Sequence, residues 1–198
     1  AKLGISRYTH PILVNPINPL VLVEGKYDYE FIRQSINLLC PQREVHISYL
    51  ELLDQDSSGG DDNLLKYLKY NKNVIKIRDK ESPIIIVIDW DSKKAAEYKK
   101  VADPTDPYFV VEWPPDAFNP NLGENFKGIE RAMSDRIIQE ADNKVKVIGK
   151  TQDHVLTVSH KDYTNKLKPE IYNIISKGIK IEDTAHIKPL VQKILDLL

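Results

Sequence analysis

The chain has 198 residues, 41% hydrophobic and 29% charged, with a net charge of −1. That length suits one domain, or one domain with a small appendage, and the charge excludes a polycation that coats DNA. The single cysteine, Cys40, excludes an internal disulfide or a multi-cysteine metal site and points to a reducing compartment, the cytoplasm.

Three prolines, Pro11, Pro16 and Pro19, mark an irregular lead-in over residues 1–17 and its junction with the first element. Leu20 to Glu24 reads as a buried parallel strand, closed by Gly25. Lys26 to Leu39 carries a helical apolar stripe of Tyr29, Ile32, Ile36 and Leu39, and Pro41 ends it. Val45 to Leu53 is a second strand candidate. Asp54 to Asp62 reads as a loop, and a helix with Leu64, Leu65 and Leu68 on one face follows. Ile84 to Ile88 is the most hydrophobic strand. At five residues it falls far short of the roughly 20 needed to span a bilayer, so no membrane partner is expected. Ala1-Lys2-Leu3-Gly4 does not open a signal peptide. Ser92 to Val101 reads as helix, Tyr108 to Trp113 as a fourth strand, and Glu124 to Glu140 as a further helix. Val145–Ile148 and Val155–Val158 are strand-like, and helices are expected around Pro169–Ser176 and Ile187–Leu198. Tyr67 and Tyr70 share a helical spacing that suggests packing.

Strands alternate with helices, which argues for an α/β fold with a mostly parallel sheet. Ligands in such sheets bind beyond the C-terminal strand ends. Those ends carry Glu24, the Gly59-Gly60 loop, and Asp89 with Asp91. Asp89 and Asp91 are two apart, and in an extended segment they face the same side, where hard oxygen ligands suit Mg²⁺ or Mn²⁺. The alternative is that Asp89 caps the following helix and Asp91 meets solvent. Gly25 lets a backbone or phosphate approach Glu24 closely, and Asp28 falls near the positive end of the following helix. Here the alternative is a capping arrangement.

Charge is unevenly placed. Asn143 to Lys180 holds eight lysines against Asp153, Asp162 and Glu170, an excess of +5 that leaves −6 for the rest. A basic C-terminal lobe with Lys161, Lys166 and Lys168 would suit phosphates. A solvated lysine-rich face explains the same run.

Taken together, Val-Glu-Gly-Lys-Tyr-Asp at 23–28, the glycines at 59–60 and Ile-Val-Ile-Asp-Trp-Asp at 86–91 resemble the Toprim domain of topoisomerases, primases and certain nucleases. The resemblance covers roughly residues 18–140. It implies a Rossmannoid α/β core over 18–142 and a basic extension over 143–198. It implies Glu24 as general acid or base, Asp89 and Asp91 as Mg²⁺ ligands, and Asp28 as the acidic position of nuclease-type members. Gly-Glu-Asn-Phe-Lys-Gly-Ile-Glu at 123–130 is similar to OLD (overcoming lysogenization defect) family nucleases and related phage-defence proteins. There an acidic residue and a lysine, here Glu124 and Lys127, hold a second metal or neutralise transition-state charge. A surface salt-bridge ladder along Glu124, Lys127 and Glu130 is the plainer alternative. The chain lacks the extra domain of a topoisomerase and the zinc cysteines of a primase. Gly149-Lys150-Thr151 resembles the end of a Walker motif, but Lys144 stands where its first glycine belongs.

The reading that follows is a Mg²⁺- or Mn²⁺-dependent nuclease acting on nucleic acid, DNA ahead of RNA. An ABC-type ATPase, in trans or on a longer chain, is the implied partner. Gly25, Gly59 and Gly60 would admit the substrate backbone, and Lys161, Lys166 and Lys168 would bind it. The rivals are a Toprim module that binds without cutting, and a haloacid-dehalogenase-like phosphatase using Asp89. In the latter family the Asp-x-Asp motif follows the first strand, and here it follows the third.

Overall fold

Two short apolar runs form the middle of a four-stranded, all-parallel sheet in the computed structural model. The structure describes residues 18–53, 60–89, 92–123, 126–145 and 161–198. The central strands are β1 (Leu20–Val23) and β3 (Ile84–Ile88), and every residue of both is buried. Such runs suit positions covered on both faces, which is why neither strand shows polar alternation. β2 (His46–Tyr49) flanks β1 and β4 (Tyr108–Glu112) flanks β3, giving the order β2-β1-β3-β4. The edge strand β4 is less fully covered, with Tyr108 and Val111 buried and Phe109 and Glu112 exposed.

Helices alternate with the strands and continue past them along the chain. They are α1 (Lys26–Leu39), α2 (Leu50–Leu53), α3 (Asp61–Tyr70), α4 (Lys72–Lys76), α5 (Ala95–Tyr98), α6 (Asp135–Lys144), α7 (Lys161–Ile175) and α8 (Lys188–Leu195). Two 3₁₀ turns, Gly128–Ala132 and Ile181–Thr184, join them. Among the described residues no helix is long and apolar enough to cross a membrane.

The chain divides into two compact units. The first holds residues 1–29, 43–113 and 193–198 and contains the whole sheet. One face of its sheet, Leu20, Leu22, Ile84, Ile86 and Ile88, packs with Leu50, Leu64, Leu68, Ile75 and Tyr98. The second holds residues 30–42 and 114–192, so residues 114–142 go with the C-terminal segment and not with the sheet.

In the second unit α6 packs on α7. Gln34 ties α1 to the end of α7, its amide donating to the Ile175 carbonyl at 2.7 Å and its oxygen accepting from the Ile179 N–H at 2.9 Å. Ser134 caps α6, accepting from the Ile137 N–H. The same hydroxyl donates to Asp183 at 2.5 Å, and Arg136 and the Lys180 N–H also donate to that carboxylate.

Several elements differ from the sequence expectation. The second strand stops at Tyr49 and turns into α2. Ser92–Val101 yields only the single turn of α5. The helix expected over Glu124–Glu140 is broken. Lys127 is extended, with φ −112° and ψ 166°, and the α-helix starts only after its Ser134 cap. Lys127 and Glu130 therefore do not share a face of one α-helix, and Glu124 lies outside the described residues. α7 begins upstream of Pro169 and contains it. Tyr70 is 87% exposed, so it does not pack as its spacing with the buried Tyr67 suggested. Residues 146–160, including the strand-like Val155–Val158, lie outside the described residues.

Asp183 makes the second unit's fold sensitive to acid. It is 1% exposed, and burial alone would raise its pKa. The hydrogen bonds from Arg136, Ser134 and the Lys180 N–H outweigh that and hold its carboxyl below the usual carboxylate range. A depressed folded-state pKa gives stability that is present above the unfolded value and is lost as pH falls through the folded one. Asp183→Asn should cost about 2 kcal/mol at pH 7, discounted for the solvent contact of Arg136. In urea unfolding the deficit should shrink as pH drops below about 4. An equal deficit at pH 7 and pH 3 would contradict this.

Candidate functional site

The acidic site expected from the sequence depends on which strands are neighbours. β1 pairs with β3 in parallel, with Leu20 beside Ile84 and Leu22 beside Ile86. Glu24 is the first residue past β1 and Asp89 the first past β3. Both therefore leave the same edge of the sheet, one register step apart. With strands about 4.8 Å apart and a rise of about 3.3 Å, their backbones are roughly 6 Å from each other. The chain runs outward from β1 to β2 and then returns to the other side of β1 as β3. The order of an open α/β sheet reverses at that point, and ligands bind in the crevice it leaves.

Local chemistry shapes each approach. The Tyr29 N–H donates to the Gly25 carbonyl at 3.0 Å, which starts α1 immediately after Glu24. Asp28 then falls in the first turn of α1, where the helix dipole favours a negative charge. At the end of β3 the Ser92 N–H donates to the Asp89 carbonyl at 3.0 Å, closing a turn. The expected facing of Asp89 and Asp91 to one side involves residues outside the described ones. Asp91 itself lies outside the described residues, as do Gly59 and Glu124.

The start of α3 is fastened to this edge. The Ser92 hydroxyl donates to Asp61 Oδ2 at 3.0 Å, and the Tyr98 hydroxyl donates to the Asp61 carbonyl at 2.8 Å. Lys94 forms an ion pair with Asp62. That pair raises the Lys94 pKa and lowers that of Asp62. Tyr98 is fully buried, and its phenol is pushed well above the usual tyrosine range. Burial contributes most, then the bond to Asp61 and the negative charges of Asp61 and Glu24. Tyr98 thus stays a neutral donor with Glu24 and Asp61 both acting on it. Glu24 continues the alternation of Leu20 and Leu22, whose face of the sheet packs Tyr98.

Asp61 is the residue that sequence reasoning missed. Its signal was present as a carboxylate pair just after the glycines at 59–60 and just before an apolar helix, and that composition was absorbed into a loop. Among the described residues no three Asp, Glu, His or Cys side chains form a ready metal-holding group.

The other expected site residues fall in the second unit. Lys127 is exposed. Lys166 is exposed, and nothing is described of the Lys161 side chain. Lys168 lies 2.9 Å from Glu130, which is 3% exposed. Burial raises the Glu130 pKa, against the pull of Lys168.

Comparison with protein-family models, curated proteins and solved structures finds no match to this chain.

Two glycines of the site are set apart by their backbones. Gly60 has φ 111°, a conformation L side chains rarely adopt, and it provides the entry into α3. Gly25 has no positive φ, and an added Cβ would meet only Asp28 Oδ2 at 3.7 Å among the described residues. Gly60→Ala should therefore cost about 1–2 kcal/mol in urea unfolding through backbone strain. Gly25→Ala should cost less than about 0.5 kcal/mol. Equal losses at the two positions would contradict this.

Proposed function

We propose that the chain is a metal-dependent phosphodiesterase acting on nucleic acid through a Toprim-type acidic site. The observation that carries the reading is the parallel pairing of β1 with β3, which sets Glu24 and Asp89 at adjacent strand exits. The donors there are carboxylate oxygens, the hard ligands that Mg²⁺ and Mn²⁺ take. Glu24, Asp89 and Asp91 would hold the ion, with Asp28 in reach of the same crevice. When bound, such an ion polarises a phosphoryl oxygen and lowers the pKa of bound water.

The chain's own groups have separable tasks in this reading. Glu24 exchanges a proton with the attacking water or the leaving oxygen. Gly25 leaves room beside Glu24 for a phosphodiester, a role its ordinary backbone and open Cβ position do not otherwise require. Tyr98 and Ser92 fix the start of α3 against the β3 exit. An assembly with an ABC-type ATPase belongs to the same reading through its OLD-family resemblance.

Incubating the chain with plasmid DNA and with single-stranded DNA and RNA, in Mg²⁺ or Mn²⁺, tests the proposal. The parent should cleave at least one of them, and EDTA should stop it. Glu24→Gln keeps the side chain's shape, and should lower cleavage about 10²-fold or more while nucleic-acid binding survives. Cleavage by Glu24→Gln at the parental rate would remove Glu24 from the chemistry. Binding without cleavage by the parent would favour a non-cutting module.

A further inference from the structure

A second run of positive charge covers most of α3, α4 and the turn after α4, within the unit that holds the sheet. From Leu64 to Lys80 there are six basic residues and one acidic residue, Asp79. That excess of +5 in 17 residues equals the excess carried by the 38 residues from Asn143 to Lys180. Arg78 is buried and takes no part on the surface. Its guanidinium donates to the carbonyls of Ser82 and Asn18.

The exposed residues run along α3, α4 and the turn after α4. Leu64, Leu65, Tyr67 and Leu68 of α3 and Ile75 of α4 turn into the core. Lys66, Lys69, Tyr70, Lys76, Ile77 and Lys80 are all exposed, at steps of three, one, six, one and three. Within α3, Lys66, Lys69 and Tyr70 are three and four apart and share one face. Asn71, with φ −96° and ψ 13°, caps the end of α3 and the start of α4, and Lys76 ends α4, with Ile77 and Lys80 just after it.

This segment also holds the two most exposed large apolar side chains among the described residues, Tyr70 at 87% and Ile77 at 74%. An isolated exposed tyrosine needs no explanation. A tyrosine standing out beside lysines on one helical face has the makeup of a single-stranded nucleic-acid platform, in which cations follow the backbone and a ring stacks on a base. Lys69 and Lys76 are paired with Glu97 at 3.0 Å and Asp103 at 2.7 Å, both partners more than half exposed. Such surface pairs are weak, so phosphates can replace those carboxylates.

We infer that the α3–α4 segment binds single-stranded nucleic acid, with its lysines on phosphates and Tyr70 stacked on a base. This rests on the nuclease reading for the identity of the ligand and names where that ligand is held. The helix gives it direction. α3 begins at Asp61, fastened beside the exits of β1 and β3, and its 10 residues span about 15 Å to the segment's centre at Tyr70. On α7, Lys168 is engaged by Glu130.

The test is binding of a fluorescein-labelled 20-nucleotide single strand, followed by anisotropy in EDTA, so that no cleavage is needed. Tyr70→Ala should weaken binding about tenfold and leave the salt slope unchanged. Lys66→Ala with Lys80→Ala should weaken binding and lower the slope of log K against log salt by about 1.4, two phosphates' worth on a single strand. These residues are exposed, so both variants should keep the parent's unfolding midpoint. A parent that binds no strand, or variants that bind as the parent does, would overturn the inference. So would equal binding of polyglutamate with Tyr70→Ala neutral, since the segment would then be a docking face for an acidic protein. Cleavage in Mg²⁺ is scored separately. A parent that cuts while the segment's variants bind normally leaves the nuclease reading standing, and a parent that binds through the segment without cutting removes that reading alone.

Discussion

The pairing of β1 with β3 organises the candidate site. Each strand is short, wholly apolar and buried, so neither has a position of its own where a charge is tolerated until it ends. Their parallel register makes them end together. Glu24 and Asp89 are the first residues that reach water, and they reach it side by side. Had β2 or β4 come between these strands, the same two carboxylates would belong to different crevices.

Around that edge the fold adds structure that the motif alone does not contain. Tyr98, buried beneath the sheet edge and held neutral, joins the turn of α5 to the first carbonyl of α3. Ser92 joins the β3 exit to the Asp61 carboxylate. These contacts make the start of α3 part of the site's wall. They also place the acidic end of α3 at the strand exits and its lysines at the other end. One helix therefore separates the groups that would hold a cation from those that would hold phosphates, within the reach of a few nucleotides.

Much of the first unit was legible in the sequence. The runs at Leu20 and Ile84 read as buried strands because branched apolar residues fill them. Lys26–Leu39 read as helix because its apolar spacing agrees with Gly25 before it and Pro41 after it. Legibility fell where short elements compete. His46–Leu53 has apolar residues enough for a longer strand, yet Leu50 and Leu53 are buried from a helical turn. Over Glu124–Glu140 the periodicity hid a break, although Ser134 followed by Asp135 is itself a helix-start signal. The wider acidic wall was missed because Asp61 joins it only through contacts far apart in sequence. Tyr70 was misread because helical spacing to Tyr67 gives a shared side only approximately. A residue three further on is displaced enough to leave the core when the helix lies at its edge.

The proposed site requires Glu24 and Asp89 to act on one ion, and Mn²⁺ binding followed by electron paramagnetic resonance tests that without reference to any substrate. Glu24→Gln and Asp89→Asn should each weaken Mn²⁺ binding about tenfold or more. Ligands of one ion couple, so the double variant should lose much less than the product of the two single losses. Parental Mn²⁺ affinity in both single variants, or losses that simply multiply in the double, would contradict a shared site at the β1 and β3 exits.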